Sequence, residues 1–91
     1  MENNGYRAKI DKIDAKLVQL FAERMDVAGE IAAYKKAKGL PVLDPKRELE
    51  KTASVREQTP EAYRDYVERL YQLMFELSRD YQTKLIESDE R

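Results

Sequence analysis

Between Tyr6 and Lys38 apolar side chains recur at Ile10, Ile13, Leu17, Leu20, Phe21, Ala28 and Ile31, with no proline and one glycine, Gly29. This is the three-and-four spacing of one helical face, and it predicts a single helix over 6–38, roughly 50 Å long at 1.5 Å per residue. No short partner segment can cover so long a stripe. Gly39 follows a turn rich in lysine, and Leu40-Pro41-Val42-Leu43 cannot continue the helix, because proline lacks the N–H and restricts the residue before it. Asp44-Pro45 then has the form of an N-cap followed by proline at the first helical position. It opens a shorter helix over 45–57, whose modest apolar face is Leu49 and Ala53. Gln58-Thr59-Pro60 repeats the signal, with Thr59 as N-cap and Pro60 as first residue of a third helix over 60–87; the tail at 88–91 is expected to fray. On the third helix Tyr63, Tyr66, Val67, Leu70, Tyr71, Leu73, Met74, Phe75, Leu77, Tyr81 and Leu85 form an arc wide enough to need more than one neighbour. The chain reads as one all-α domain over 1–91 with three helices, and with no internal repeat, strand alternation or glycine-rich phosphate loop.

Four polar residues interrupt these apolar faces. At about 100° per residue, Arg24 falls about 20° from the centre of the first stripe defined by Leu17, and Lys35 almost on it. Either their stems lie along apolar surface with the charged heads in water, or an anion is held between helices. Ser78 and Gln82, one turn apart, fall inside the arc of the third helix. Two cations, a hydroxyl and a neutral amide on faces that should meet describe a polar pocket in an apolar bundle. The short helix adds Arg47 and Glu48, which read equally well as a solvated face, and Asp44, which reads first as a cap.

Composition removes several classes of function. The 91 residues are 42% hydrophobic and 38% charged, which is short for a large core; dimerisation would make up the deficit. Seventeen Lys and Arg against eighteen Asp and Glu leave a net charge of −1, so no basic field argues for nucleic acid. Histidine and cysteine are both absent, which excludes thiol nucleophiles, Ser-His-Asp triads and disulfides, and removes the commonest transition-metal ligands; no metal and no cofactor is expected. The opening MENNGYRAK has no apolar signal region and no segment suited to span a membrane, so a soluble cytoplasmic protein without membrane contacts is expected.

In order along the chain stand R-x-x-I-D-x-I-D (7–14), A-E-R (22–24), Lys35, P-V-x-D-P-x-R-E (41–48), and an apolar run with Met74 among its spacers that ends in S-x-x-x-Q (78–82). Each is weak alone, but their joint order and spacing over about 6–84 resemble the all-helical chorismate mutases of the AroQ class. That resemblance implies an isomerase rearranging chorismate to prephenate at the branch toward phenylalanine and tyrosine, built as an intertwined homodimer with two equivalent sites. It further implies that Arg24 holds one substrate carboxylate and that Arg7 reaches the other from the partner chain. Lys35 would contact a carboxylate and the ether oxygen, and Gln82 would be the second donor to that oxygen. Glu48 would accept from the ring hydroxyl beside the Asp44 backbone, with Arg47 and Ser78 completing the polar wall. Helix geometry independently favours the dimer: Arg7 and Arg24 lie 17 residues apart, roughly 25 Å on one straight helix, so one chain cannot close both on one small molecule. An antiparallel second copy can. Two other readings compete, an isochorismate-pyruvate lyase on the same scaffold and a non-catalytic helical dimerisation or regulatory module. The second would be expected to place Leu or Ala, not polar residues, at 24, 35, 78 and 82.

Overall fold

The computed structural model describes residues 3–89. Three α-helices make up the chain, α1 over Asn3–Lys38, α2 over Pro45–Gln58 and α3 over Arg64–Asp89, with a short 3₁₀ turn at Glu61–Tyr63 ahead of α3. No strand is present among the described residues, and no helix there is long and apolar enough to cross a membrane.

The end of α1 follows from its residues. Gly39 takes φ +67°, the left-handed conformation that glycine enters without penalty, and two reversed bonds close the helix: Gly39 N–H to the Lys36 carbonyl at 3.2 Å and Leu40 N–H to the Lys35 carbonyl at 2.8 Å. The connection is then tied back by Lys35, whose Nζ donates to the Val42 carbonyl at 2.7 Å. The opening of α2 follows expectation as well, with the Asp44 carboxylate accepting from Arg47 N–H at 3.1 Å and Pro45 in the first turn.

Three sequence expectations need correction. Thr59 does not cap the third helix. It closes α2 instead, its hydroxyl donating to the Val55 carbonyl at 2.6 Å, and Pro60 stays extended at ψ 142°, so the chain passes through the 3₁₀ turn before α3 begins at Arg64. A threonine hydroxyl between two helices has two backbone partners to choose from, and here the carbonyl four residues back takes it. The packing face of α2 is also different: Leu49 is 73% exposed and Ala53 is exposed, whereas Val55 is 8% exposed. Around Val55 the inward side of α2 is largely polar, formed by half-buried Glu48, Thr52, Arg56 and Thr59, whose side chains bond to carbonyls or to α3. Finally, Ser88 is helical and not frayed, while Glu90 and Arg91 lie outside the described residues.

α3 packs on both other helices. Its Phe75 is buried along with Ala28 and Ala32 of α1 and Val55 of α2, and no large side chain is fully buried among the described residues. Arg56 of α2 bonds Asp65 and Glu68 of α3 at 3.0 and 2.7 Å, an arrangement that raises its pKa above the ordinary value, chiefly through the bond to Asp65. The amino-terminal half of α1 behaves differently. Every residue from 5 to 23 is exposed, including Ile10, Ile13, Leu17, Leu20 and Phe21 of the predicted stripe. The elongated result, 54 Å in its longest dimension, has a radius of gyration of 16.5 Å. A compact chain of this length would have about 12 Å.

Candidate active site

Where α1, α2 and α3 converge, a cavity of about 260 Å³ opens between Arg24, Ile31 and Lys35 of α1, Val42 and Asp44 of the connection, Arg47, Glu48 and Lys51 of α2, and Phe75, Ser78, Arg79 and Gln82 of α3. Helix spacing explains the α3 contribution. Phe75 precedes Ser78 by three residues and Arg79 by four, and Gln82 follows them by four and three, so one face of α3 about 100° wide carries all of them. The cap at Asp44 does the same for α2, because it fixes the first turn from which Arg47 and Glu48 project. Arg24 and Lys35 are three turns apart on α1 and border opposite ends of the same wall.

Seven of the eight residues singled out from sequence line this cavity: Arg24, Lys35, Asp44, Arg47, Glu48, Ser78 and Gln82. The eighth, Arg7, does not. It lies on the exposed half of α1, remote from the cavity of its own chain by the rise of the helix, roughly 25 Å from Arg24.

The polar groups are held in particular ways. Gln82 is 5% exposed and donates from Nε2 to Ser78 Oγ at 3.0 Å, while its Oε1 is buried with no hydrogen-bond partner. A serine hydroxyl both donates and accepts, so turning the amide over preserves the Ser78 bond and puts N–H donors where Oε1 stands. Either way a buried amide atom is left for a ligand to satisfy, and leaving such an atom unmet costs about 1–3 kcal/mol. Arg24 lies over the Tyr71 ring, its guanidinium carbon 5.6 Å from the centroid, so the aromatic face supports the charge at the edge of the apolar stripe. Lys35 spends one of its three N–H donors on Val42 and retains two. Glu48 is paired with Arg79 across the α2–α3 interface.

Five cations against two carboxylates line the cavity, which gives it an excess of positive charge despite the near-neutral chain. Buried Phe75, half-buried Val42 and the more exposed Ile31 supply the apolar part of the lining. No thiol or imidazole is available to act as nucleophile or general base near neutral pH. What the arrangement can do is bind a small polyanion, orient it, and offer donors to a developing charge.

Two cavity residues, Arg79 and Lys51, are not among those that stand out in the sequence. Arg79 is legible as a position, since it is four residues beyond Phe75 and three before Gln82, but its pairing with Glu48 spans 31 residues and no local pattern reveals it. Lys51 follows Arg47 by one turn, yet an exposed helix face gives the same spacing.

The chain is similar to three known proteins over part of its length. It is 48% identical over 42 residues to a chorismate mutase of Methanocaldococcus jannaschii, a match covering 46% of this chain and 42% of that protein. It is 40% identical over 43 residues to a T-protein of Haemophilus influenzae, covering 47% of this chain and 11% of the relative. A T-protein of Enterobacter agglomerans is 35% identical over 57 residues, covering 63% of this chain and 15% of the relative. The matched stretches are thus less than half of each relative. No solved structure matches. The pattern of the family described as chorismate mutase type II runs over residues 6–83, through all three helices and every residue of the cavity. The chain belongs to the chorismate mutase type II family.

Proposed function

We propose that this protein catalyses the Claisen rearrangement of chorismate to prephenate, on the route to phenylalanine and tyrosine, in an intertwined homodimer with two equivalent sites. The observation that carries the reading is the cation-rich cavity itself, in which Arg24, Lys35 and Arg47 line the same space as half-buried Ser78 and buried Gln82, whose amide keeps one atom unpartnered. In this reaction the ether C–O bond breaks as a C–C bond forms within one molecule. It needs no nucleophile, hydride or obligatory proton transfer, so a chain without His or Cys is suited to it.

Arg24 holds one carboxylate of chorismate and Arg7 of the second protomer holds the other, which keeps the side chain over the ring in a reactive conformer. The two free donors of Lys35 and the Gln82 amide meet the ether oxygen as negative charge builds on it, at roughly 3–4 kcal/mol for a well-placed donor. Glu48 accepts from the ring hydroxyl. A rate gain of about 10⁶ needs only ~8 kcal/mol, which two donors and orientation supply.

The dimer is supported by what one chain leaves uncovered. Its accessible surface is 7473 Å². A compact monomer of this mass exposes about 5,500 Å². The excess of roughly 2,000 Å² suits an obligate interface. An apolar groove of about 410 Å³ between α1 and α3, bordered by Leu17, Leu20, Phe21, Leu70, Leu73 and Leu77, lies beside Arg24 and is continuous with the exposed half of α1. The antiparallel α1 of a second copy fills it and carries Arg7 toward the cavity.

Separate measurements test the reaction and the assembly. Purified protein with chorismate should consume it and form prephenate without pyruvate. Pyruvate release, especially from isochorismate, would transfer the assignment to the lyase reaction, and no turnover of either would leave a non-catalytic helical module. For the assembly, the melting temperature should fall on dilution, because folding and association are one event. Arg7→Ala and Arg24→Ala chains, each inactive alone, should regain about one working site when mixed and refolded. A folded, active monomer in sedimentation, or mixed dimers without activity, would remove Arg7 from the site.

A further inference from the structure

We propose that Arg79 is a positioning residue for Glu48, holding one carboxylate oxygen so that the other faces the hydroxyl of the substrate ring. The proposal rests on the functional reading above. Its observation is independent of that reading: the Arg79 guanidinium donates from Nη1 to Oε2 of Glu48, joining α3 to α2 at the cavity wall. Both side chains are largely shielded, 33% and 25% exposed, so the pair is neither an ordinary surface contact nor a fully buried one.

Two features of Glu48 make an external support necessary. It sits in the first turn of α2, on a helix whose inward face holds only Val55 as a buried apolar residue, so packing alone does little to select its rotamer. It also stands beside a cavity built for an anion, and a bare carboxylate there would repel the ligand that Arg24, Lys35 and Arg47 attract. Arg79 answers both. Its charge neutralises Glu48 locally, and a directional N–H bond to Oε2 leaves Oε1 as the acceptor on offer. Arg79 precedes Gln82 by three residues, so the same face of α3 carries both the Ser78–Gln82 bond and the clamp on Glu48. Among the described residues, it is the one cation of the cavity that bonds a carboxylate of the wall.

The test is a double-variant cycle on the full dimer, with kcat and KM for chorismate and for the analogue in which hydrogen replaces the ring hydroxyl. Arg79→Ala should lower kcat/KM for chorismate by about 10- to 100-fold, the scale of a charge-assisted hydrogen bond, and Arg79→Lys should recover most of it. Glu48→Gln should be impaired as well, and adding Arg79→Ala to it should cost no more than about threefold further, since the arginine then has no charge to hold. With the deoxy analogue the penalty of Arg79→Ala should shrink several-fold, a change that general destabilisation would not produce. Additive losses would mean that Arg79 binds the substrate directly and would overturn the proposal. So would an Arg79→Ala enzyme with wild-type kinetics, or one equally impaired on both substrates. Wild-type protein that turns over neither substrate overturns the functional reading and this proposal together, whereas normal wild-type turnover with additive losses overturns only the role of Arg79.

Discussion

Replacing Lys35 with alanine is expected to lower kcat/KM for chorismate by at least about 10², with the larger part in kcat, because in the proposed role the ammonium acts most on the oxygen that gains charge in the transition state. Helical spacing already places this lysine on the apolar stripe, and the structure adds how its head is held. The distinguishing fact is how its donors are distributed, one bonded to the Val42 carbonyl at 2.7 Å and two left at the cavity wall. The hydrogen bond changes a simpler expectation. On the sequence alone Lys35 is an unpaired cation on an apolar stripe, so its removal should relieve desolvation and raise stability. The bond to Val42 reverses the sign: Lys35→Ala should lose about 1 kcal/mol of stability, the ordinary net value of one such bond, because the 39–44 connection is released from α1. The two effects separate in the measurement. Thermal melts at fixed protein concentration report the tether, and kcat/KM at saturating dimer reports the charge. A variant that melts lower yet retains full activity would reduce Lys35 to a structural tether with its head in water.

Changing Gln82 to glutamate should convert a nearly pH-independent enzyme into one that works only in acid. With no His or Cys to titrate, the wild-type rate should vary little between about pH 5 and 8, since an amide donates at any of these pH values. The Gln82→Glu variant keeps the shape but makes donation conditional. Protonated, the carboxyl donates to the ether oxygen; ionised, it sets a negative charge against an oxygen that is gaining one. Activity is therefore present at low pH and lost as pH rises through the pKa of the introduced group. Two opposing causes place that pKa. Gln82 is 5% exposed, and burial at that depth raises a carboxyl above its ordinary ~4.3, while the cations lining the cavity lower it. Burial should prevail, putting the loss near pH ~5 to 7. Ser78 does not rescue the ionised variant, because its hydroxyl can donate to the new carboxylate but supplies no proton to the ether oxygen on the carboxylate's far side. The measurement is kcat/KM for both proteins from about pH 4.5 to 8, with folding followed by circular dichroism at each point. If the variant tracks wild type throughout, Gln82 does not touch the ether oxygen.

Local signals explain why much of this chain is readable. Gly39 ends α1 because no residue with a β-carbon enters the left-handed region as cheaply, and Asp44-Pro45 opens α2 because a carboxylate there reaches the Arg47 N–H three residues on. Arg24, Lys35, Ser78 and Gln82 stand out as polar residues in apolar stripes, a conflict visible at helical spacing alone. Where two local partners compete, the same signals mislead. Thr59 has the composition of an N-cap, and its hydroxyl bonds the Val55 carbonyl instead. Leu49 looks like the packing residue of α2 because it is the larger apolar group, yet the docking of α2 on α3 through Arg56 turns Val55 inward.

Periodicity, breakers and caps act within about one turn of helix, so three helices, their approximate ends and the set of misplaced polar residues are properties of the chain read in order. Which of those residues meet is a matter of distances that close only when helices pack. Glu48 and Arg79, 31 residues apart, become partners through the α2–α3 contact, Gln82 is left with an unpartnered buried oxygen through the convergence of three helices, and Lys35 finds Val42 through the turn at Gly39. Side-chain bonds of this kind depend on positions good to a fraction of an ångström, and helical spacing sets a residue's face, not its neighbour across the gap.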